Sequence, residues 1–287
     1  MEATPGIEPG FTVLQTVASP LRHVASLICG YIRSMRTATT GSAREWSFRL
    51  IVSALTPLYN RADTPTKRAA MPDYATQRAN MVASQLRTTD VADPRIQAAM
   101  AAVPREEFVP QAKRSTCYSD LPVEVAHGRF LLDPRSFAKM LMLAEIRPTD
   151  SVLDVGCATG YSAVVLSKLA RTVVALEQDA GLLHLASDLV PAAAAANTVV
   201  VQGVLADGFK ARAPYDVIVV EGGIEQQPEA LCSQLGEGGR LVAVILNGNS
   251  GRAHLFVREK GHIGSRIAFD AVVPVLAGFH KTVGFVF

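Results

Sequence analysis

The run Val152-Leu-Asp-Val-Gly-Cys-Ala-Thr-Gly-Tyr161 carries Asp154, Gly156 and Gly160 in the spacing D-x-G-x-x-x-G, with Cys157 and Ala158 between the glycines. Glycines in a turn between a strand and a helix let the main chain approach a ligand with no Cβ in the way. Spacing removes two nucleotide chemistries. A phosphate-cradling G-x-x-x-x-G-K-[ST] loop needs its second glycine where Tyr161 stands, and no lysine follows until Lys168. The dinucleotide fingerprint G-x-G-x-x-G fails at Ala158 and Tyr161. The next apolar run, TVVALE, ends in Glu177 and is followed by Gln178. A carboxylate at such a strand end can accept hydrogen bonds from both hydroxyls of a ribose.

The elements that position these residues are legible from periodicity. Strands are expected at SVLDVG, TVVALE, TVVVQ, YDVIVV, GRLVAVIL and AHLFVRE, with a last extended run near DAVVPVL. Helices are expected between them at YSAVVLSKLA, GLLHLASDLVPAAAA (with a break at Pro191) and QPEALCSQL. Nearly continuous apolar strands alternating with helices imply an α/β fold, a doubly wound and mostly parallel sheet covered on both faces. Such sheets bind ligands at the carboxyl ends of their strands. Helices precede the sheet: YATQRANMVASQLR, with Met81, Val82 and Leu86 on one face, then PRIQAAMAAV, then after a loop to His127 DPRSFAKMLMLAEI, entered through Asp133 and Pro134.

Composition narrows the partners. A net charge of +2 over 287 residues, without a Lys/Arg run interleaved with aromatics, argues against nucleic acid. Cys29, Cys117, Cys157 and Cys232 lie far apart, and the six histidines are scattered, so neither a disulfide framework nor a metal site is expected and a reducing cytoplasm fits. Residues 1–70 form a basic, acid-poor leader whose apolar pieces are too short to span a membrane. Its composition fits a translated upstream region before a start at Met71, an organelle transit peptide, or an amphipathic surface helix around Pro20–Arg36. The domain proper is expected over 71–287, a helical substrate-side segment at 73–147 and the ligand-binding sheet at 148–287.

The glycine pattern, with an acid before it and another ending the next strand, resembles S-adenosylmethionine-dependent methyltransferases of class I. From Tyr74 to Phe279 the chain further resembles the protein-L-isoaspartate O-methyltransferase family, through RANMVASQLR, VPREEFVP, LPVEVAHG, VLDVGCATGYSA, ARAPYDVIVVEGG and QLGEGGRLV in order. The likeness implies S-adenosyl-L-methionine as cofactor, with Gly156, Cys157, Ala158 and Gly160 lining its site. Asp154 would orient the turn or reach the ligand's amino group through solvent, Glu177 would hold the ribose, and adenine would lie against Gln178. The implied substrate is a protein or peptide carrying an isoaspartyl residue, whose free α-carboxylate receives the methyl group.

Two departures from the family pattern stand out. Where the family carries Thr-Ile-Ser-x-Pro after a glycine, this chain has Gly128-Arg129-Phe130-Leu131-Leu132-Asp133-Pro134, so Leu132 replaces the serine whose hydroxyl meets the substrate carboxylate. Where the family has an acid-glycine pair for the adenine amino group, Val204 stands, with Asp207 three residues on. Arg129 is the first substitute for the lost hydroxyl, because a guanidinium grips a carboxylate with two parallel bonds, or it is a solvated arginine. Glu221 is expected at the same rim, where it would repel an anion or pair with Arg129. His127 is expected as a core or loop residue. Three readings therefore stand: an isoaspartyl methyltransferase, a methyltransferase of another carboxylate, and a binding or scaffold protein that kept the fold.

Overall fold

The computed structural model describes residues 73–281, and the expectations for the leader, Cys29 included, lie outside them. The helical segment comprises α1 (Tyr74–Met81), α2 (Pro94–Ala102) and α3 (Pro134–Ala144). Each is entered through an aspartate, Asp73, Asp93 or Asp133, whose side chain accepts a first-turn backbone N–H. The first helix continues as a π-turn over Val82–Leu86, and Met81, Val82 and Leu86 are all buried, as their spacing requires.

Seven strands form one sheet: β3 (Ser151–Val155), β4 (Thr172–Glu177), β5 (Thr198–Gln202), β6 (Tyr215–Ile224), β7 (Leu235–Asn247), β8 (Ser250–Glu259) and β9 (His262–Asp270). Their spatial order is β5-β4-β3-β6-β7-β8-β9, parallel from β5 to β7 and antiparallel beyond. The chain winds outward one way from β3 and then returns to its other side through β6. The glycine turn after β3 therefore occupies the point where strand order reverses, the place such sheets reserve for ligands.

Strand residues alternate between two cores. Val152, Val173, Ala175, Val217 and Val219 pack under the helices, including α4 (Tyr161–Ser167) and α5 (Ala180–Ala192). Leu153, Val155, Leu176, Ile218 and Val220 face the other way, against Leu205, α6 (Glu229–Cys232), Leu276 and Phe279. The second face is thus covered by short elements where the sequence suggested a full helix over QPEALCSQL. Pro191 breaks nothing, since α5 runs one residue past it.

Two further expectations are corrected. The loop before His127 contains a strand, and a two-stranded hairpin forms from β1 (Val123–Ala126) and β2 (Arg129–Leu131), too short for periodicity to register. Among the described residues the last strand is β9, not DAVVPVL, which makes only an isolated bridge between Val275 and Gly223. Strand β9 is exposed on both faces and so has no hydrophobic alternation. Its register comes from the two-residue turn Lys260-Gly261, both at positive φ, closing on β8.

Gly160 shows how tightly the turn is built. It caps α4 at φ 94°, and a Cβ there would lie 2.5 Å from Val190 of α5. Gly160→Ala should therefore cost about 2–4 kcal/mol in urea unfolding, combining left-handed strain with overpacking. Adding Val190→Ala should remove the overpacking part of that deficit, so the double variant should lose less than the sum of the two single variants.

Candidate functional site

The turn begins where β3 ends. The N–H groups of Gly156 and Cys157 both donate to the Leu176 carbonyl of β4, at 2.9 and 3.2 Å, which folds the chain back over the strand ends. Gly156 sits at φ 86° and Ala158 at φ 50°. A Cβ at Gly156 would meet Leu276 Cδ1 at 2.9 Å and Arg129 Nη2 at 3.5 Å, so this glycine lies directly against the Arg129 guanidinium. At Gly160 the missing Cβ makes room for Val190 of α5, so packing also requires a glycine there. Cys157 is buried, and burial pushes its thiol well above the ordinary range, so it is no nucleophile.

Glu177, fully buried at the end of β4, is the best-ligated side chain of the site. Its Oε1 accepts from Arg129 Nη1 at 2.5 Å, Gln178 N at 2.8 Å and Asp179 N at 2.9 Å; its Oε2 accepts from Arg129 Nη2 at 2.7 Å and Ala158 N at 2.9 Å. Arg129 also donates weakly to the Gly156 carbonyl, at 3.3 Å. Arg129 is therefore neither a solvated arginine nor the partner of Glu221. The hairpin turn carries it onto Glu177, 48 residues away, a pairing invisible without β1 and β2.

The other two carboxylates lie beneath the turn. Asp154 accepts from Ser162 Oγ at 2.7 Å, tying β3 to the start of α4, and its second oxygen has no partner. Burial, reinforced by the Glu177 carboxylate, raises its pKa to about 7. Glu221 is likewise buried, with one oxygen unpartnered, and burial beside Asp154 pushes its carboxyl well up. Burial and the neighbouring Asp154 both favour the uncharged form of Glu221, which weakens the repulsion of an anion expected of it. Leu132 is buried with Glu221, Gly156, Cys157, Phe137 and Tyr161 around a cavity of about 10 Å³.

Arg105 of VPREEFVP gave no functional signal in the sequence, yet it braces this region. Wholly buried, it donates to the carbonyls of Cys117 at 2.7 Å and Leu132 at 2.6 Å, and its guanidinium lies 4.8 Å from the Tyr161 ring centroid. Thr159 in the turn donates to the Phe108 carbonyl of the same motif.

An open hollow of about 510 Å³ adjoins the Arg129–Glu177 pair, lined by His127, Gly128, Gln178, Asp179 and the C-terminal residues Val275, Ala277 and His280. His127 is exposed and reaches its rim, outside the core. Neither Val204 nor Asp207 lines it. Val204 is half-exposed, and its carbonyl accepts from Asp207 N at 3.1 Å. The C-terminal segment is fixed over the strand ends by reciprocal bonds of Gly223 with Pro274 and Leu276, both 2.8 Å. Arg129, Gly156, Cys157, Ala158, Glu177 and Gln178 thus converge, while Leu132 sits one layer below.

Comparison with known proteins agrees with this geometry. The family described as Protein-L-isoaspartate(D-aspartate) O-methyltransferase (PCMT) matches residues 77–275. The protein-L-isoaspartate O-methyltransferase of Koribacter versatilis is 40% identical over 180 residues, 62% of this chain and 81% of the relative. A solved protein-L-isoaspartate O-methyltransferase superposes with a TM-score of 0.61 at 26% identity, covering 70% of this chain and 66% of that one. A candidate protein-L-isoaspartate O-methyltransferase of Plasmodium falciparum, solved with S-adenosyl-L-homocysteine, shares the fold with a TM-score of 0.61 at 20% identity, over 69% of this chain and 97% of its own. With its glycine turn at the sheet's reversal point and a ligated acid ending the next strand, the chain belongs to the protein-L-isoaspartate(D-aspartate) O-methyltransferase family.

Proposed function

We propose that this chain transfers the methyl group of S-adenosyl-L-methionine to the α-carboxylate of isoaspartyl residues in proteins or peptides, and that it works in the cytoplasm. Among the described residues no helix is long and apolar enough to cross a membrane. The observation that carries the reading is a buried carboxylate, Glu177, ending the strand beside a glycine turn and hydrogen-bonded to that turn at Ala158 N. The chain's own residues fit the cofactor: Gly156, Cys157 and Ala158 would present main chain to its methionyl part, Glu177 would take the ribose, and Gln178 with the adjoining hollow would take the adenine. A hollow of this size suits a nucleoside-sized ligand.

The bound cofactor supplies an activated methyl sulfonium. The acceptor, a carboxylate with a pKa near roughly 4, is ionised at neutral pH, so no side chain needs to remove a proton. What the chain must do is align the acceptor oxygen behind the methyl carbon and exclude water. Phe130, Leu132, Phe137, Tyr161 and Leu276 supply an apolar wall beside the turn. Burial disfavours the charged forms of Asp154 and Glu221, which weakens the anionic field that would oppose a carboxylate. Displacement of the resulting ester by the neighbouring backbone nitrogen is what makes methylation a repair step.

Incubation with radiolabelled cofactor and an isoaspartyl peptide, beside its aspartyl control, should label the first peptide alone. If no other group replaces the serine hydroxyl that Leu132 lacks, the rate should lie roughly ten- to a hundredfold below that of a relative carrying the serine, since an unmade hydrogen bond to a carboxylate costs about 1–3 kcal/mol. Labelling of neither peptide, or of both equally, rules the isoaspartyl reading out.

Asp154 yields a second expectation. A carboxyl raised from 3.8 to about 7 by folding favours the folded state fully below its unfolded pKa, and that contribution is lost as pH rises through about 7. Urea unfolding should show stability falling by on the order of 2 kcal/mol between about pH 5 and 8 from this group. Asp154→Asn, which retains an acceptor for Ser162, should flatten that fall; an unchanged slope would show that Asp154 is ionised throughout.

A further inference from the structure

Glu177 presents a problem of capacity. A carboxylate offers about four lone-pair directions, and in this structure two Arg129 bonds and three backbone bonds already occupy it. The three N–H donors belong to the turn and to the exit of β4, so they are fixed. The two guanidinium bonds come from a side chain on a short hairpin at the edge of the hollow, and that side chain alone can yield. A ribose diol and Arg129 cannot both be ligands of Glu177. Arg129 also closes the front of Gly156, where its Nη2 would stand 3.5 Å from a Cβ. One arginine therefore covers both the strand-end acid and the first glycine of the turn.

We infer that Arg129 is a two-position residue that holds Glu177 in the cofactor-free enzyme and, once displaced by the cofactor's ribose, binds the carboxylate of the methyl acceptor. The inference rests on the reading of the site given above. A displaced guanidinium has lost its only counter-ion and stands at the mouth of the hollow, three residues before Leu132, where the family's hydroxyl is missing. Among the residues lining the small cavity, Arg105 has one unpartnered donor, Nη1, but it is wholly buried, tied to two carbonyls and packed on Tyr161, and it does not line the hollow that Arg129 borders. A planar fork that has just released one carboxylate is suited in geometry and charge to grip another. Binding is then ordered: the acceptor site acquires its cation only after the cofactor has entered. Occupancy of Glu177 by Arg129 lowers the apparent cofactor affinity by the fraction of molecules in the open state.

The test uses the full chain and two probes, S-adenosyl-L-homocysteine and an isoaspartyl peptide. Calorimetry should show Arg129→Gln binding S-adenosyl-L-homocysteine about ten- to a hundredfold more tightly than the unsubstituted protein, because the closed state is lost. Steady-state transfer by the same variant should show the peptide KM raised about tenfold or more, because the bidentate clamp is lost. Opposite changes in the two affinities are what a purely structural arginine would not produce. Glu177 keeps its three backbone donors in this variant, and thermal unfolding checks that it folds. Should it fail to fold, the unsubstituted protein still decides the matter: fluorescence anisotropy should detect peptide binding only with S-adenosyl-L-homocysteine present. Equal S-adenosyl-L-homocysteine affinity in both proteins, or peptide binding that ignores S-adenosyl-L-homocysteine, overturns the two-position role while leaving the cofactor reading intact. Absence of S-adenosyl-L-homocysteine binding by either protein overturns both.

Discussion

The Glu177 carboxylate is the point on which the site depends. Its five hydrogen bonds reach three separate pieces of chain: the glycine turn through Ala158, the exit of β4 through Gln178 and Asp179, and the hairpin through Arg129. Buried ions persist only when paired and fully bonded, because desolvation otherwise outweighs attraction. Here the pairing also sets position, since Ala158 is held at positive φ in the turn by the same carboxylate. The acid expected to meet a ligand also holds together the segments that would surround it.

Charge around the site is arranged in two tiers. The upper tier, Arg129 with Glu177, is a formal ion pair. The lower tier, Asp154 and Glu221, consists of carboxyls pushed up first by burial, with the Glu177 charge adding to the shift of Asp154 and the Asp154 charge to that of Glu221. A site for a cationic sulfonium and an anionic acceptor needs a field near balance, and this arrangement keeps one unpaired acid from dominating.

The sheet and its reversal point were legible because its parallel strands read as nearly unbroken apolar runs: β3, β4 and β6 are buried, and the edge strand β5 keeps its valine run although Val199 is exposed. The glycine turn was legible for the same reason that it works: few sequences place D-x-G-x-x-x-G after such a strand. What the spacing did not carry is that Gly160 also serves close packing and positive φ, a demand set by Val190 from a distant helix. The hairpin escaped because two strands of four and three residues carry too few alternations, and with it went the partner of Arg129. Strand β9 escaped because neither of its faces is buried. What sequence periodicity reports is burial, so elements placed by main-chain pairing or by ion pairing fall outside its reach.

Arg105 has a consequence for how the molecule opens. It joins the helical segment to the hairpin's exit through the Leu132 carbonyl, to the following loop through the Cys117 carbonyl, and to the head of α4 through the Tyr161 ring. Fraying of that segment would strip a buried guanidinium of all three contacts at once. The segment and the glycine turn therefore behave as one cooperative unit, whose local opening exposes both together. In amide exchange the protection of 105–132 and of 156–162 would rise and fall as a single step, and a partially unfolded enzyme that still held its cofactor turn would not be populated.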